Sequence, residues 1–431
     1  MTAPSTPMDV VSGWRLAALL ATLMLISAIS QIDRILPFIL AEAIKADLGL
    51  SDTQIGLLTG AAFAVCYTLL SLPLARLADR GSPRLVLLGC LLVWSAMTAL
   101  GGFAASFLLL ALTRFGVAFG EAGGMPAGHA LIARQVRPER RGLALGLFSM
   151  GIPLGTMVGF AVGGALADTL GWRTALIGAG VVGGIAFLLA WRIIRPTPAL
   201  PRAEADRRPM LADALRLATA PGFRGLILAA LAIGFASVPF YAFSAPFLIR
   251  THGLSAGEVG LSFGLLQGGL GVVGALLGGR GFDWTLRSGR RRLIDPPGWL
   301  LLIAAPITAA ALFAPAGWMS ILLFMPTMFA FALLLPWAFG VAHLVAGPGR
   351  QALATSLMLI ASGLLGPALG PVLVGAISDG AAAAGMTNTL GLGLLIVPIA
   401  SLLTGLATLA ASRRISAPPE ARAGLYPGRA G

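Results

Sequence analysis

Charge is scarce in this chain. Of 431 residues, 11% are Asp, Glu, Lys or Arg and 57% are hydrophobic. Soluble domains carry about 25% charged residues, so this balance excludes one. Cysteine occurs twice and histidine three times. Neither forms a disulfide framework or a ligand-spaced cluster, and no metal or cofactor is expected. Cys66 and Cys90 both fall inside apolar runs, where a small packing role is expected. A nucleotide-binding loop of the G-x-x-x-x-G-K-[ST] form is missing, which excludes an ATP-driven pump within this chain. No nucleophile with a paired His and carboxylate marks an enzyme.

What is abundant is uninterrupted apolar sequence. Several runs exceed 18 uncharged residues, the length that crosses a hydrocarbon layer of ~30 Å as a helix. The runs are continuous and not alternating, which argues against a β-barrel. The expected fold is an all-α polytopic membrane protein with 12 transmembrane helices in two pseudo-symmetric six-helix halves. The predicted spans are 14–40, 52–78, 83–103, 106–134, 140–167 and 171–192, then 223–249, 256–281, 293–314, 318–344, 350–377 and 388–412. The domain reading is a first half at 1–192, a polar, Pro-rich cytoplasmic linker at 193–222, a second half at 223–412 and a cytoplasmic tail at 413–431. No cleavable signal peptide is expected, since the first long run is a full span with no small-residue cleavage site after it.

The net charge of +13 comes from loop asymmetry. With both termini cytoplasmic, 25 of the 30 Lys and Arg fall on the cytoplasmic side. Only Lys45, Arg173 and Arg250 fall on the other, and Arg34 and Arg114 lie within spans. That bias orients a multi-pass protein of the inner (plasma) membrane and removes any need for a nucleic-acid partner. The halves also repeat. "SDTQIGLLTG" at 51–60 matches "SAGEVGLSFG" at 255–264, and the same offset of 204 carries Asp79 onto Asp283. "PERRGLALGL" at 138 echoes "PGRQALATSL" at 348 with an offset of 210. Duplicated halves are the organisation of a secondary transporter with a site between them.

Four ionisable residues lie inside the spans, all in the first half: Asp33 and Arg34, then Arg114 and Glu121. Each costs ~2.5–3.5 kcal/mol at mid-membrane. Two acids balance two bases, so mutual pairing is possible. Arg114 and Glu121 are two turns apart on one face, about 10.5 Å, too far to bond each other. Another helix could place a carboxylate between them, and the first span is the natural candidate. One reading is a structural ion-pair network. The other is a proton-coupling set, because apolar surroundings favour a neutral acid and a nearby Arg favours the carboxylate. The second half offers instead Phe240, Tyr241, Gln267 and Trp337, with further Phe and Met. These are either plain packing or the greasy wall of an amphipathic cavity.

"PLARLADRGSPR" at 73–84 resembles the cytoplasmic signature of the major facilitator superfamily: Asp79, Arg80, Gly81 and Arg84 match in type, and Ala75 replaces the leading Gly. "QIDRILP", the Arg114 to "GEA" stretch and "GIPLGTMVGFAVGG" together resemble the spinster family. Gly151, Gly155, Gly159 and Gly163 in the last of these repeat at four-residue spacing, which lets helices approach closely. The first two motifs also resemble organic-anion:proton symporters, and the third the Gly-rich fifth helix of antiporters.

The spinster resemblance implies alternating access and a lysolipid-like amphiphile as substrate. It implies that Asp33, Glu121 and Arg114 form the proton switch and that Arg34 lies close by. Asp79, Arg80, Arg84, Arg140 and Asp283 would form the cytoplasmic gate. Arg34, Arg114, Phe240, Tyr241, Gln267 and Trp337 are the expected substrate contacts. The expected activity is proton-coupled efflux by a monomer. The alternatives are an organic-anion:proton symporter, and a lipid scramblase or channel independent of protons.

Overall fold

The computed structural model describes residues 11–196, 210–288, 294–347 and 351–414. Most of the linker, the tail, segment 289–293, residues 348–350 and the Arg80 side chain therefore lie outside the described residues.

The described residues form helices without a strand. In chain order they are α1 (Trp14–Ile39), α2 (Asp52–Asp79), α3 (Pro83–Gly101), α4 (Phe107–Gln135), α5 (Arg141–Thr169) and α6 (Gly171–Ile193). Then follow α7 (Pro221–His252), α8 (Ala256–Arg287), α9 (Asp295–Ala311), α10 (Gly317–Ala346), α11 (Leu353–Ala383) and α12 (Thr389–Arg413). Each predicted span has its helix. α9 is the shortest at 17 residues, at the lower limit for crossing hydrocarbon.

The ends follow local chemistry. Ser51 with Gln54, and Ser255 with Glu258, form full capping boxes at the starts of α2 and α8. Ser82 and Ser106 cap α3 and α4. α2 opens with a short α-turn and then a π-turn over Leu57–Ala61 before regular helix resumes at Ala62.

The chain divides into two compact units. The first is Met1–Leu48 with Ala62–Asp206, and the second is Gly49–Ala61 with Arg207–Gly431. The tip of α2, assigned by sequence to the first half, thus packs with the second unit. Within the first unit α1 lies along α5 and α6, α2 along α4, and α3 against α4 and α6. Within the second, α7 lies along α11 and α12, α8 along α10, and α9 against α10 and α12.

Small residues set the closest approaches. A Cβ on Gly155 of α5 would sit 2.3 Å from the Ala28 carbonyl oxygen of α1, and one on Gly366 of α11 would sit 2.3 Å from the Gly234 backbone of α7. In lipid there is little hydrophobic drive between helices, so this contact-distance packing is what holds them.

Candidate functional site

The first unit brings the four intramembrane charges together. Arg34 Nε donates to Glu121 Oε2 at 2.5 Å, tying α1 to α4. The Arg34 guanidinium lies over the rings of Tyr67 and Phe63 on α2, at 4.6 and 5.0 Å. The Glu121 side chain is fully buried and that of Arg34 is 30% exposed. Arg114 Nη1 donates to the backbone oxygen of Asp33 at 3.3 Å, and its guanidinium sits 5.8 Å from the Phe63 centroid. Asp33 is buried, and neither of its carboxyl oxygens accepts a hydrogen bond from the described protein. Glu121 Oε1 likewise accepts none, and Arg114 Nε donates none, among the described residues.

This pairing differs from the expected one. The sequence grouped Glu121 with Asp33 and Arg114 and set Arg34 close by, and in the structure it is Arg34 that bonds Glu121. Arg114 and Glu121 stand two turns apart on α4, whereas the long Arg34 side chain reaches Glu121 from the neighbouring helix. Beside Arg34 lies a cavity of about 100 Å³, lined by first-unit residues that include Ser27, Ser30, Tyr67, Trp94 and Phe148.

The expected wall in the second unit is built differently. Phe240 is 1% exposed and sits in a cluster of rings, 5.2 Å from Phe324, 5.8 Å from Phe331 and 5.5 Å from Tyr241. Trp337 is likewise buried and meets Phe282 at 6.5 Å. Gln267 is half-buried, and its Oε1 has no hydrogen-bond partner among the described residues.

Of the expected gate residues, the Arg80 side chain lies outside the described residues. Asp79, Arg140 and Asp283 are exposed. Arg84 bonds the Trp191 carbonyl at 2.8 Å and covers that indole, so it closes the end of α6 in its own unit. Sequence reasoning passed over Arg134. It donates to the carbonyls of Ala78, Asp79 and Gly81 and so caps the C-terminus of α2.

A second polar cluster was also missed, at the α2 tip. Arg250 of α7 holds both oxygens of buried Asp52 at 2.7 Å, and Ser378 of α11 donates to Asp52 Oδ2. Asp379 accepts from the backbone N–H groups of Asp52 and Thr53 and from the Thr53 hydroxyl. Its only signal in the sequence was the acid at the first turn of α2. Among the described residues no cluster could hold a metal ion.

The Major Facilitator Superfamily model matches residues 22–371. An MFS-type efflux pump of Mycolicibacterium smegmatis is 36% identical over 398 residues, 90% of each chain. Human protein spinster homolog 1 is 28% identical over 401 residues, 86% of this chain and 74% of that one. A crystal structure of a bacterial homolog to the human lysosomal transporter Spinster, inward-facing and unoccupied, matches with a TM-score of 0.82 and 26% identity over 95% of this chain and 100% of that chain. With intramembrane charges, duplicated helix packing and these relatives in agreement, the chain belongs to the major facilitator superfamily, as a spinster-like membrane transporter and not an enzyme.

Proposed function

We propose that this transporter exports an amphiphile in exchange for protons by alternating access. The observation that carries the reading is the Arg34–Glu121 pair, its carboxylate fully buried, beside the unbonded Asp33 carboxyl. Ionised Glu121 fixes Arg34 through Nε, and the Phe63 and Tyr67 rings hold its plane, which leaves the other guanidinium nitrogens for substrate. A hydrogen bond to a charged group is worth ~1.5–3 kcal/mol, and a proton on Glu121 removes that charge. Arg34 then loses its orientation, so proton and substrate hold the site alternately. Asp33 is costly as a bare buried anion and much less so with a proton, and Arg114 beside it supplies the charge that stabilises the anion.

Tyr241 and Gln267 are the second-unit candidates for the tail, and Asp79, Arg80, Arg84, Arg140 and Asp283 remain the candidates for closing the Arg-rich side. The loop charges support a plasma-membrane protein with cytoplasmic termini. The whole-length similarity to an efflux pump supports the direction.

A second reading, organic-anion:proton symport, is favoured by one observation: Arg34 is the sole charged side chain among the cavity's lining residues. Proteoliposomes separate the two. A fluorescent lysophospholipid is followed with and without a pH gradient, in wild type, Asp33→Asn and Glu121→Gln. Gradient-driven movement lost in both variants is the expected result. Proton release on substrate binding fits exchange, and proton uptake fits symport. Lipid movement indifferent to pH and to both substitutions would sink the coupled reading.

A further inference from the structure

Five buried threonines of the spans share one habit. Thr22, Thr59, Thr156, Thr308 and Thr404 each donate a hydroxyl to the carbonyl four residues earlier, at 2.7–3.0 Å. That is how a hydroxyl in lipid is met within its own helix. The hydroxyls of Thr98 and Thr408, also buried, make no such bond among the described residues. What sets Thr98 apart is what it faces. It is 2% exposed on α3, and its side chain meets the Asp33 carboxyl of α1. That carboxyl is 1% exposed and also without a hydrogen bond. Two buried polar groups on different helices thus face each other, and neither is bonded elsewhere.

The turn of α3 that carries Thr98 is clamped. A Cβ on Gly120 of α4 would lie 2.7 Å from the Trp94 nitrogen, and one on Gly180 of α6 would lie 2.6 Å from the Ser95 carbonyl oxygen. Backbone contact on both sides fixes the depth of Thr98. Ser95, one turn earlier, is turned to α6, where a Cβ on Gly183 would meet its Oγ. The charged groups that face Asp33 are Arg114 and Glu121 of α4. α5 and α6, which also pack along α1, carry theirs at their ends, as Arg141, Asp168, Arg173 and Arg192. α3 carries Arg84 at its start, and Glu42, Lys45 and Asp47 lie beyond the end of α1.

We propose that Thr98 is a positioning residue for Asp33, a hydroxyl that serves both protonation states of the carboxyl. A threonine hydroxyl has one proton to donate and two lone pairs to offer. Facing ionised Asp33, it donates. Facing protonated Asp33, it accepts a hydrogen bond from the acid and turns its own proton to the Trp94 carbonyl, the seat that the five other threonines use. Arg114 can do only the first of these, since a guanidinium has no acceptor. The proton that Asp33 gains or loses never passes to Thr98, which only turns. For its part in transport, this inference rests on the proton-coupled reading above.

The test is an infrared pH titration of the full-length protein in nanodiscs, following the C=O stretch that Asp33→Asn removes. Transport in proteoliposomes is measured over the same pH range. Thr98→Val keeps the shape and deletes the hydroxyl, whereas Thr98→Ser keeps the hydroxyl. A hydrogen bond to a charged acceptor is the stronger one, so Thr98→Val should weaken the anion more than the acid. Its Asp33 band should move to higher frequency, and its midpoint to higher pH by about one unit, ~1.4 kcal/mol. The transport profile should shift in the same sense, and Thr98→Ser should follow wild type. A packing role alone would move neither band nor midpoint. An Asp33 band unchanged in Thr98→Val, or Thr98→Ser behaving as Thr98→Val, would overturn the assignment. If Asp33 holds one protonation state throughout, the frequency of its C=O or carboxylate stretch decides. If Thr98→Val does not fold, Thr98→Ala is read against the same outcomes. A shifted Asp33 titration with lipid movement indifferent to pH would remove the proton-coupled reading and leave Thr98 in its place.

Discussion

Where α4 of the first unit carries Arg114 and Glu121, α10 of the second carries Phe324 and Phe331, each 210 residues further on, the offset that also relates residue 138 to 348. The charged pair meets Arg34 and Asp33 of α1, and the aromatic pair meets Phe240 of α7, at 5.2 and 5.8 Å. Around these opposite interiors the helix pairings are the same, α1 with α5 matching α7 with α11 and α2 with α4 matching α8 with α10. The packing plan is therefore independent of what fills the middle. Close backbone approach and matched helix length build the scaffold. An aromatic interior costs no charge desolvation, whereas four buried ionisable groups do. These four charges are confined to the first unit, and the groups that face each other on α7 and α10 of the second are aromatic.

Phe240→Ala tests that division most severely. Removing a fully buried ring costs ~3–5 kcal/mol, and the first-unit charges are untouched. Denaturant unfolding should show that loss, while the protein that remains folded keeps its pH-dependent transport. A Phe240→Ala variant of wild-type stability that has lost its pH dependence would break the comparison and return this cluster to the transport site.

Gly155→Ala and Gly366→Ala address the shared plan. Both added carbons would meet backbone at 2.3 Å, so both should cost ~1–3 kcal/mol by overpacking, in equal measure. Gly178→Ala, with nothing within 4 Å of the added carbon, is the control and should stay within ~0.5 kcal/mol. A large loss at one glycine and none at the other would mean that the units are held by different means.

Much of this was legible in the sequence. Every span is readable because a membrane admits few alternatives to a long apolar helix. The four charges stand out because such residues are rare in lipid. The glycines of α5 pointed correctly to a close neighbour. What the sequence hid is pairing across distance. Arg34 and Glu121 are 87 positions apart, and Asp52 and Arg250 are 198 apart, so no local pattern announces either bond. The aromatic stripe of α7 and α10 was ambiguous for another reason: helical spacing is the same whether rings face a cavity or one another.

The smallest expected effect separates the ion pairs at the two units' helix ends. In the first unit Arg173 bonds Asp47, with side-chain exposures of 40% and 44%. In the second, Arg250 holds buried Asp52 through two bonds. The hydrogen bond from Arg173 and its charge hold the Asp47 carboxyl below the usual carboxylate range. A depressed acid stabilises the fold above its unfolded pKa, and that contribution is lost as pH falls through the folded value. Asp47→Asn should therefore matter slightly at neutral pH and not at all in strong acid. Being solvent-screened, the difference should also vanish in high salt. Asp52→Asn should lower the melting temperature more, and that shift should persist better in salt because the Asp52 side chain is only 4% exposed. If the two variants responded alike to salt, the α2 tip would be held no more firmly than a surface loop, and the buried cluster around it would contribute little to closing that end of the second unit.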